Sequence, residues 1–403
     1  MAAVTLLVFD TAAGKPRQCV SRVDLEGDER MSDGTTELRR SSRDHEEIRR
    51  RLEAWLATRL PAGAAPTIAS LEGTSANGMS SETLLFDARW TQAGMDRFER
   101  LVARVAPDAD DVPVFPSYDL VQQFEAIRKV GELTSVPVPP VWWSEPDADP
   151  IGAPFFVMGR VDGQVPPDVM PYNFGDSWLF DASPADQRRL QDSTVAVLAE
   201  LHGIDRPGEQ FAFLDPAAAG DTPLRRRVAR TRDWYDFAAA GGFASPLIDR
   251  CFAWLDDHWP SHEGPTVVCW GDARIGNAMY RDFVPVAVFD WEMATLGPRE
   301  LDVAWLVYGH RIFEDIAASL ELPGMPHFLR RDDVAATYES LTGHTPCDLD
   351  FYGTYAALQY GIVFLRTGHR QVHFGEIEMP ADVDDLIMNR EPLERMLAGA
   401  YWT

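Results

Sequence analysis

Lysine is almost missing from this 403-residue chain: only Lys15 and Lys129 occur, and every other cationic side chain is arginine. A site that needs a fixed positive charge must therefore nearly always use a guanidinium, whose planar fork differs in reach and geometry from an ammonium. Long apolar runs are also lacking, which excludes a membrane span of about 18 or more residues. Cysteine is scarce and scattered (Cys19, Cys251, Cys269, Cys347), with neither metal-ligand nor disulfide spacing. The opening stretch, MAAVTLLVFDTAAGKPR, has no basic n-region, and Asp10 breaks its apolar run, so a signal peptide is not expected and the predicted location is cytoplasmic. Positive charge is in short supply overall: 37 Lys and Arg stand against 63 Asp and Glu, a net charge of −26. That balance argues against a nucleic-acid partner, whose phosphates would be repelled.

What is present is globular. The chain is 45% hydrophobic and 25% charged, and its length exceeds one small core, so more than one structural unit is expected. Residues 1–35 carry one short apolar run followed by polar sequence and read as an N-terminal extension, with Met31 as an alternative start. Apolar residues at Ile48, Leu52, Trp55, Leu56 and Leu60 follow helical spacing, and PAG stops that helix. TIASLEGTSANGMSSETLLFDARW then reads as strand, Gly-containing loop, strand. RLVARVAP predicts a third strand, DLVQQFEAIRKVGEL a helix, and APFFVMGRVDG a strand leaving through glycine. Long helical patterns follow, the first with Ser183 as its N-cap. The expected organisation is α+β: a helix and a β-rich lobe over 36–158, then a helical lobe over 159–403, with a cleft between them.

The chemistry concentrates in CWGDARIGNAMYRDFVPVAVFDWE. An aspartate on a loop, Asp272, can accept a hydroxyl proton. Asn277, five positions on, can turn its carbonyl oxygen toward a metal. The run Val286-Ala287-Val288-Phe289 reads as a strand delivering a second acid, Asp290, at its end. A base, two hard oxygen ligands and room for phosphate oxygens form the working set of a phosphoryl transferase.

The segment WGDARIGNAMY…VAVFDWEMATLGPRELDVAW resembles the aminoglycoside phosphotransferase-like family, which includes choline kinase-like enzymes and shares the bilobed protein-kinase-like fold. The similarity runs from about residue 65 to the C-terminal region and looks nearest to actinobacterial members. The resemblance implies Asp272 as catalytic base, Asn277 and Asp290 as Mg²⁺ ligands, and Asp302 as an acid that braces the catalytic loop. Trp270 stands where the family usually has His; a Trp can fill the same volume and offers one N–H donor.

Elsewhere the resemblance marks out a nucleotide site. GTSANGMSS holds Gly73, Ser75 and Gly78, small residues that let backbone amides approach phosphates, and by itself it reads equally as an ordinary hairpin loop. Arg104 stands where the family places a phosphate-binding Lys, although an Arg on an exposed strand face is the bland alternative. The helix acid that would pair with this cation is replaced in register by Gln123, or else Glu125 reaches in from a shifted helix. Met158 to Arg160 resemble the hinge that clasps adenine through backbone groups, although the apolar run alone equally suits a buried strand. Arg274 either touches a phosphate or braces Asp272. Tyr172, Trp178, Trp234 and Tyr235 are candidates for an acceptor pocket or for core. The implied activity is transfer of the γ-phosphoryl group of ATP, or of GTP, to a hydroxyl of a small molecule, with Mg²⁺ and without nucleic acid or membrane as partners. The rival is a nucleotide-binding regulator with little turnover, suggested by Trp270 and Gln123. A protein kinase is disfavoured by the absence of an activation-segment signature between Asp290 and Asp302.

Overall fold

The computed structural model describes residues 44–73, 81–108, 112–168, 171–174 and 177–402. The expected 1–35 extension lies outside them. Helix α1 (His45–Arg59) starts where the Asp44 side chain accepts from the Glu46 and Glu47 amides, and it buries Ile48, Leu52, Trp55 and Leu56. Strands β1 (Thr67–Gly73), β2 (Glu82–Gln92) and β3 (Met95–Val105) follow. Next come α2 (Leu120–Leu133), β4 (Val141–Glu145) and β5 (Phe155–Gly159). The five strands make one antiparallel sheet in the order β1-β2-β3-β5-β4.

The period of two along a strand sorts this sheet's side chains between a core and a cleft. Leu84, Phe86, Ala88 and Trp90 of β2 are buried in the core. The intervening Thr83 and Leu85 face the cleft, as do Val102 and Arg104 of β3. Thr83 and Arg104 are direct partners across the β2–β3 ladder, so register alone places a hydroxyl beside the guanidinium.

After β5 the chain becomes mainly helical. Helices α3 (Pro184–Leu201), α4 (Pro207–Gln210), α5 (Pro223–Ala239) and α6 (Pro246–Asp257) lead into β6 (Val267–Cys269). The Ser183 hydroxyl caps α3 as the sequence predicts. A hairpin of β7 (Ala278–Arg281) and β8 (Val284–Val288) follows, then β9 (Thr295–Gly297), which pairs with β6. Asp282 and Phe283 form the two-residue hairpin loop with positive φ at both positions, the conformation whose twist suits a tight hairpin. Helices α7 (Glu300–Ser319), α8 (Arg331–Thr342), α9 (Leu349–His373) and α10 (Arg390–Leu397) complete the lobe. Helix α9 is buried on nearly every side from Phe351 to Arg366 and forms its axis. No helix among the described residues is long and apolar enough to cross a membrane.

The lobes are tied together by the loop before α2. Trp234 on α5 donates its indole N–H to the Val114 carbonyl at 2.9 Å, and Arg366 on α9 donates to the Pro113 carbonyl at 2.8 Å. Phe115 packs against Trp234 with the rings tilted by 33° and 4.8 Å between centroids. Trp234→Phe keeps the ring but strands a buried carbonyl, so it should cost about 1–3 kcal/mol in denaturant unfolding. An unchanged unfolding midpoint would show that this contact does not hold the lobes.

Candidate active site

The cleft between the lobes has a volume of about 390 Å³, and Arg104, Gln123, Met158, Arg160, Asn277 and Asp290 all line it. Residues from five separate stretches of chain thus meet at one cavity. Gly73 is the last residue of β1, and Ser75 and Gly78 lie outside the described residues. Ser81, at the far end of the same loop, lines the cleft with its hydroxyl buried and without a hydrogen-bond partner among the described residues. An orphaned hydroxyl on the wall of a cleft that also holds a guanidinium is a donor ready for a phosphate oxygen.

Arg104 is not an idle surface cation. Its guanidinium donates to Thr83 Oγ1 at 3.1 Å and to Asp290 Oδ1 at 3.2 Å, bridging the upper lobe to the lower. Gln123 is buried on α2 and faces the cleft. Glu125 instead pairs with Arg128 at 2.6 Å, one helical turn along, so no shifted helix brings an acid inward. With a neutral amide at 123, the cation's acidic partner is Asp290.

Asp290 sits two residues beyond β8 rather than on its last residue, and its φ of +60° lies in the left-handed region. Aspartate tolerates that conformation better than most residues, and the turn aims the carboxylate back into the cleft. Glu292 lies beside it, a residue the sequence reading passed over. Burial, and then repulsion from Asp290, pushes the Glu292 carboxyl up to about 7. Two neighbouring acids competing for ionisation offer hard oxygens of the kind that suit Mg²⁺.

Asp272 does not line the cleft. It is fully buried behind Asn277, whose amide N–H donates to the Asp272 carbonyl at 3.1 Å. Its carboxylate accepts from the Trp305 indole at 2.7 Å and from Arg274 Nε at 3.2 Å. Arg274 therefore braces Asp272, which decides between its two readings. It also donates to Asn277 Oδ1 at 2.9 Å, so the oxygen expected to face a metal faces a guanidinium here. Trp305 was legible in principle: it follows Asp302 by three residues on α7, one turn along the same face.

The loop itself hangs on Asp302. Its two carboxylate oxygens accept the backbone N–H groups of Trp270 at 2.7 Å and Gly271 at 2.8 Å. His202 bridges Asp302 and the Tyr338 hydroxyl at 3.1 and 2.8 Å, which makes it a structural histidine. Trp270 is fully buried and donates its indole N–H to the Phe289 carbonyl at 2.7 Å, tying the Asp272 loop to the residue before Asp290.

At the hinge, the amides of Gly159 and Arg160 donate to the Pro140 and Arg100 carbonyls. These two N–H groups are spent on the sheet and cannot also hold a base. Tyr172 packs with His310, Phe313 and Phe328, and Tyr235 bonds to Ser245. With Trp234 also engaged, three of the four aromatic candidates for an acceptor pocket are core. Trp178 remains half-buried, against Tyr280 and Phe283.

The chain belongs to the phosphotransferase enzyme family, whose pattern matches residues 85–328. It is similar to acyl-CoA dehydrogenase family member 11 of Gallus gallus, 27% identical over 195 residues, which is 48% of this chain but 23% of that protein. The chain thus spans about a quarter of the length of that relative, and the dehydrogenase name is not carried to it. Among solved structures, a candidate aminoglycoside phosphotransferase from Ralstonia eutropha superposes with a TM-score of 0.61 at 22% identity, covering 87% of this chain and 97% of that one. The GDP complex of aminoglycoside 2′-phosphotransferase-IIIa gives a TM-score of 0.51 at 14% identity, covering 87% and 99%. At these identities the likeness establishes the fold: the two-lobed, kinase-like architecture of these phosphotransferases.

The role of Trp270 is open to direct test. Trp270→Phe keeps the ring volume and removes the donor to Phe289, so it should cost about 1–3 kcal/mol. Trp270→His retains a donor and should lose less. Equal unfolding midpoints for the two variants would show that the hydrogen bond is immaterial.

Proposed function

We propose that the protein is an ATP-dependent small-molecule kinase that transfers a γ-phosphoryl group to a hydroxyl of its acceptor. The observation that carries this reading is the meeting of Arg104, Asn277 and Asp290 in one cleft, with Asp272 directly behind. Arg104 would steady the nucleotide phosphates, and Ser81 would add a hydroxyl donor. Asn277, Asp290 and Glu292 are the residues that would hold Mg²⁺, which when bound neutralises charge on the phosphate oxygens. Asp272 would orient the acceptor hydroxyl and take its proton as the new O–P bond forms and the bond to the β-phosphate oxygen breaks, releasing ADP. Because Asp272 is closed off from solvent, acceptor binding has to open a path to its carboxylate. The unpaired Cys251, Cys269 and Cys347 fit a cytoplasmic enzyme. One fold hosts many substrates; a screen of hydroxyl-bearing metabolites and antibiotics for acceptor-stimulated ATP hydrolysis identifies this protein's acceptor. Wild-type protein that binds nucleotide but shows no turnover with any acceptor tried would instead be a nucleotide-binding regulator.

The two acids should fail differently. Asp290→Ala should weaken Mg²⁺-ATP binding and abolish turnover. Asp272→Ala should bind Mg²⁺-ATP nearly as wild type does while losing about 10²–10⁴-fold in single-turnover rate. Near-normal turnover by Asp272→Ala on a proven acceptor would remove it as the base.

Arg104→Ala should weaken nucleotide binding, and Arg104→Lys should restore part of the loss, because charge near the phosphates matters more than the fork. Calorimetry that finds equal affinity in Arg104→Ala and wild type would rule out a phosphate contact.

A further inference from the structure

Between the hinge and α3 the chain crosses from one lobe to the other, and Asp168 lies on this crossing. It is 8% exposed and forms an ion pair with Arg274, itself 7% exposed. Each nitrogen of the Arg274 guanidinium meets a different group. Nε faces Asp272 at 3.2 Å, Nη2 donates to Asn277 Oδ1 at 2.9 Å, and Nη1 is taken by Asp168. Gly276 makes room for the arrangement: a Cβ there would lie 2.5 Å from Arg274 Nη1 and 2.6 Å from Asp168 Oδ1. That Oδ1 is buried and has no hydrogen-bond partner among the described residues.

A buried ion pair adds little to stability once desolvation is counted. Leaving one carboxylate oxygen unsatisfied makes this pair costlier still. Its electrostatic effect is more telling. Arg274 stands against the amide oxygen assigned to the metal, where its charge works against a divalent ion, and Asp272 offsets only one side of the guanidinium. Asp168 supplies a negative charge on the side of the guanidinium away from the cleft.

We propose that Asp168 is a positioning residue for phosphoryl transfer: through Arg274 it holds Asp272 and Asn277 in register and offsets the guanidinium charge beside the metal position. This rests on the reading of Asn277 and Asp290 as metal ligands. The crossing segment thereby joins the nucleotide cleft, which it lines from Arg160 to Val165, to the proton-accepting loop.

The test measures binding of a non-hydrolysable ATP analogue by calorimetry across a Mg²⁺ series, in the full-length protein. Asp168→Asn should raise the Mg²⁺ concentration for half-maximal binding by about 10–100-fold, the range for residues that support metal ligands. Asp168→Glu should recover part of this. Arg274→Gln should move the requirement the other way, because it removes the cation while the Gln amide N–H can still donate to the Asn277 side; it decides the matter if Asp168→Asn does not fold. Wild-type Mg²⁺ dependence in either Asp168→Asn or Arg274→Gln would overturn the proposal. Wild-type protein whose nucleotide binding ignores Mg²⁺ would overturn the metal-ligand reading itself.

Discussion

One carboxylate holding two backbone amides sets the geometry of the whole site. Asp302 fixes the N–H groups of Trp270 and Gly271 from α7, and the loop they begin carries Asp272, Arg274 and Asn277. Gly271 has a φ of +89°, and a Cβ there would lie 2.0 Å from the Met293 carbonyl oxygen. Only glycine lets the loop run this close to the strand-to-helix segment that follows Asp290. The loop that carries Asp272 and the segment that follows Asp290 are therefore packed against each other by backbone contact. Charge-assisted hydrogen bonds to a buried carboxylate are among the stronger ones, and here they are spent on backbone position rather than on chemistry.

Trp270 completes the clamp from the other direction. Its indole reaches the carbonyl of Phe289, so the loop is held from α7 by Asp302 and to the Asp290 segment by Trp270. The ring also lies 6.2 Å from Trp291, extending the apolar layer under the two acids. A residue that looks like a departure in the sequence thus supplies the one donor the position needs. Its replacement of His does not by itself argue for a silent enzyme.

The fold was legible because period and punctuation agree. Alternation along β2 and β3 separates core from cleft, and helical spacing with Asp44 and Ser183 as caps marks α1 and α3. The motif also placed the loop acid, the amide and the second acid on neighbouring elements. What sequence could not show was partnership. Gln123 fitted the register of the helix acid, but only the fold reveals that Arg104 turns to Asp290 instead. Asp168 is 106 residues from Arg274 and sits in no motif, so nothing local announces it. Glu292 was in view, two residues past Asp290, yet its raised proton affinity comes from burial and from its neighbour's charge. The aromatic residues misled in the expected direction: Tyr172 and Tyr235 are large enough to fill core and polar enough to hydrogen-bond there.

The near-absence of lysine gains meaning at the two internal cations. Arg104 must touch a cross-strand hydroxyl and an acid from the opposite lobe, and Arg274 must touch three groups at once. A guanidinium meets such demands with donors fixed in one plane, so each contact constrains the others. An ammonium on a flexible stem could satisfy the charge but would leave the directions free. In a chain of net charge −26, acids to pair with are abundant, and what is scarce is a cation that also sets angles. At Arg274 the angles set are those of Asp272 and Asn277, so the choice of cation is itself part of how this site is built.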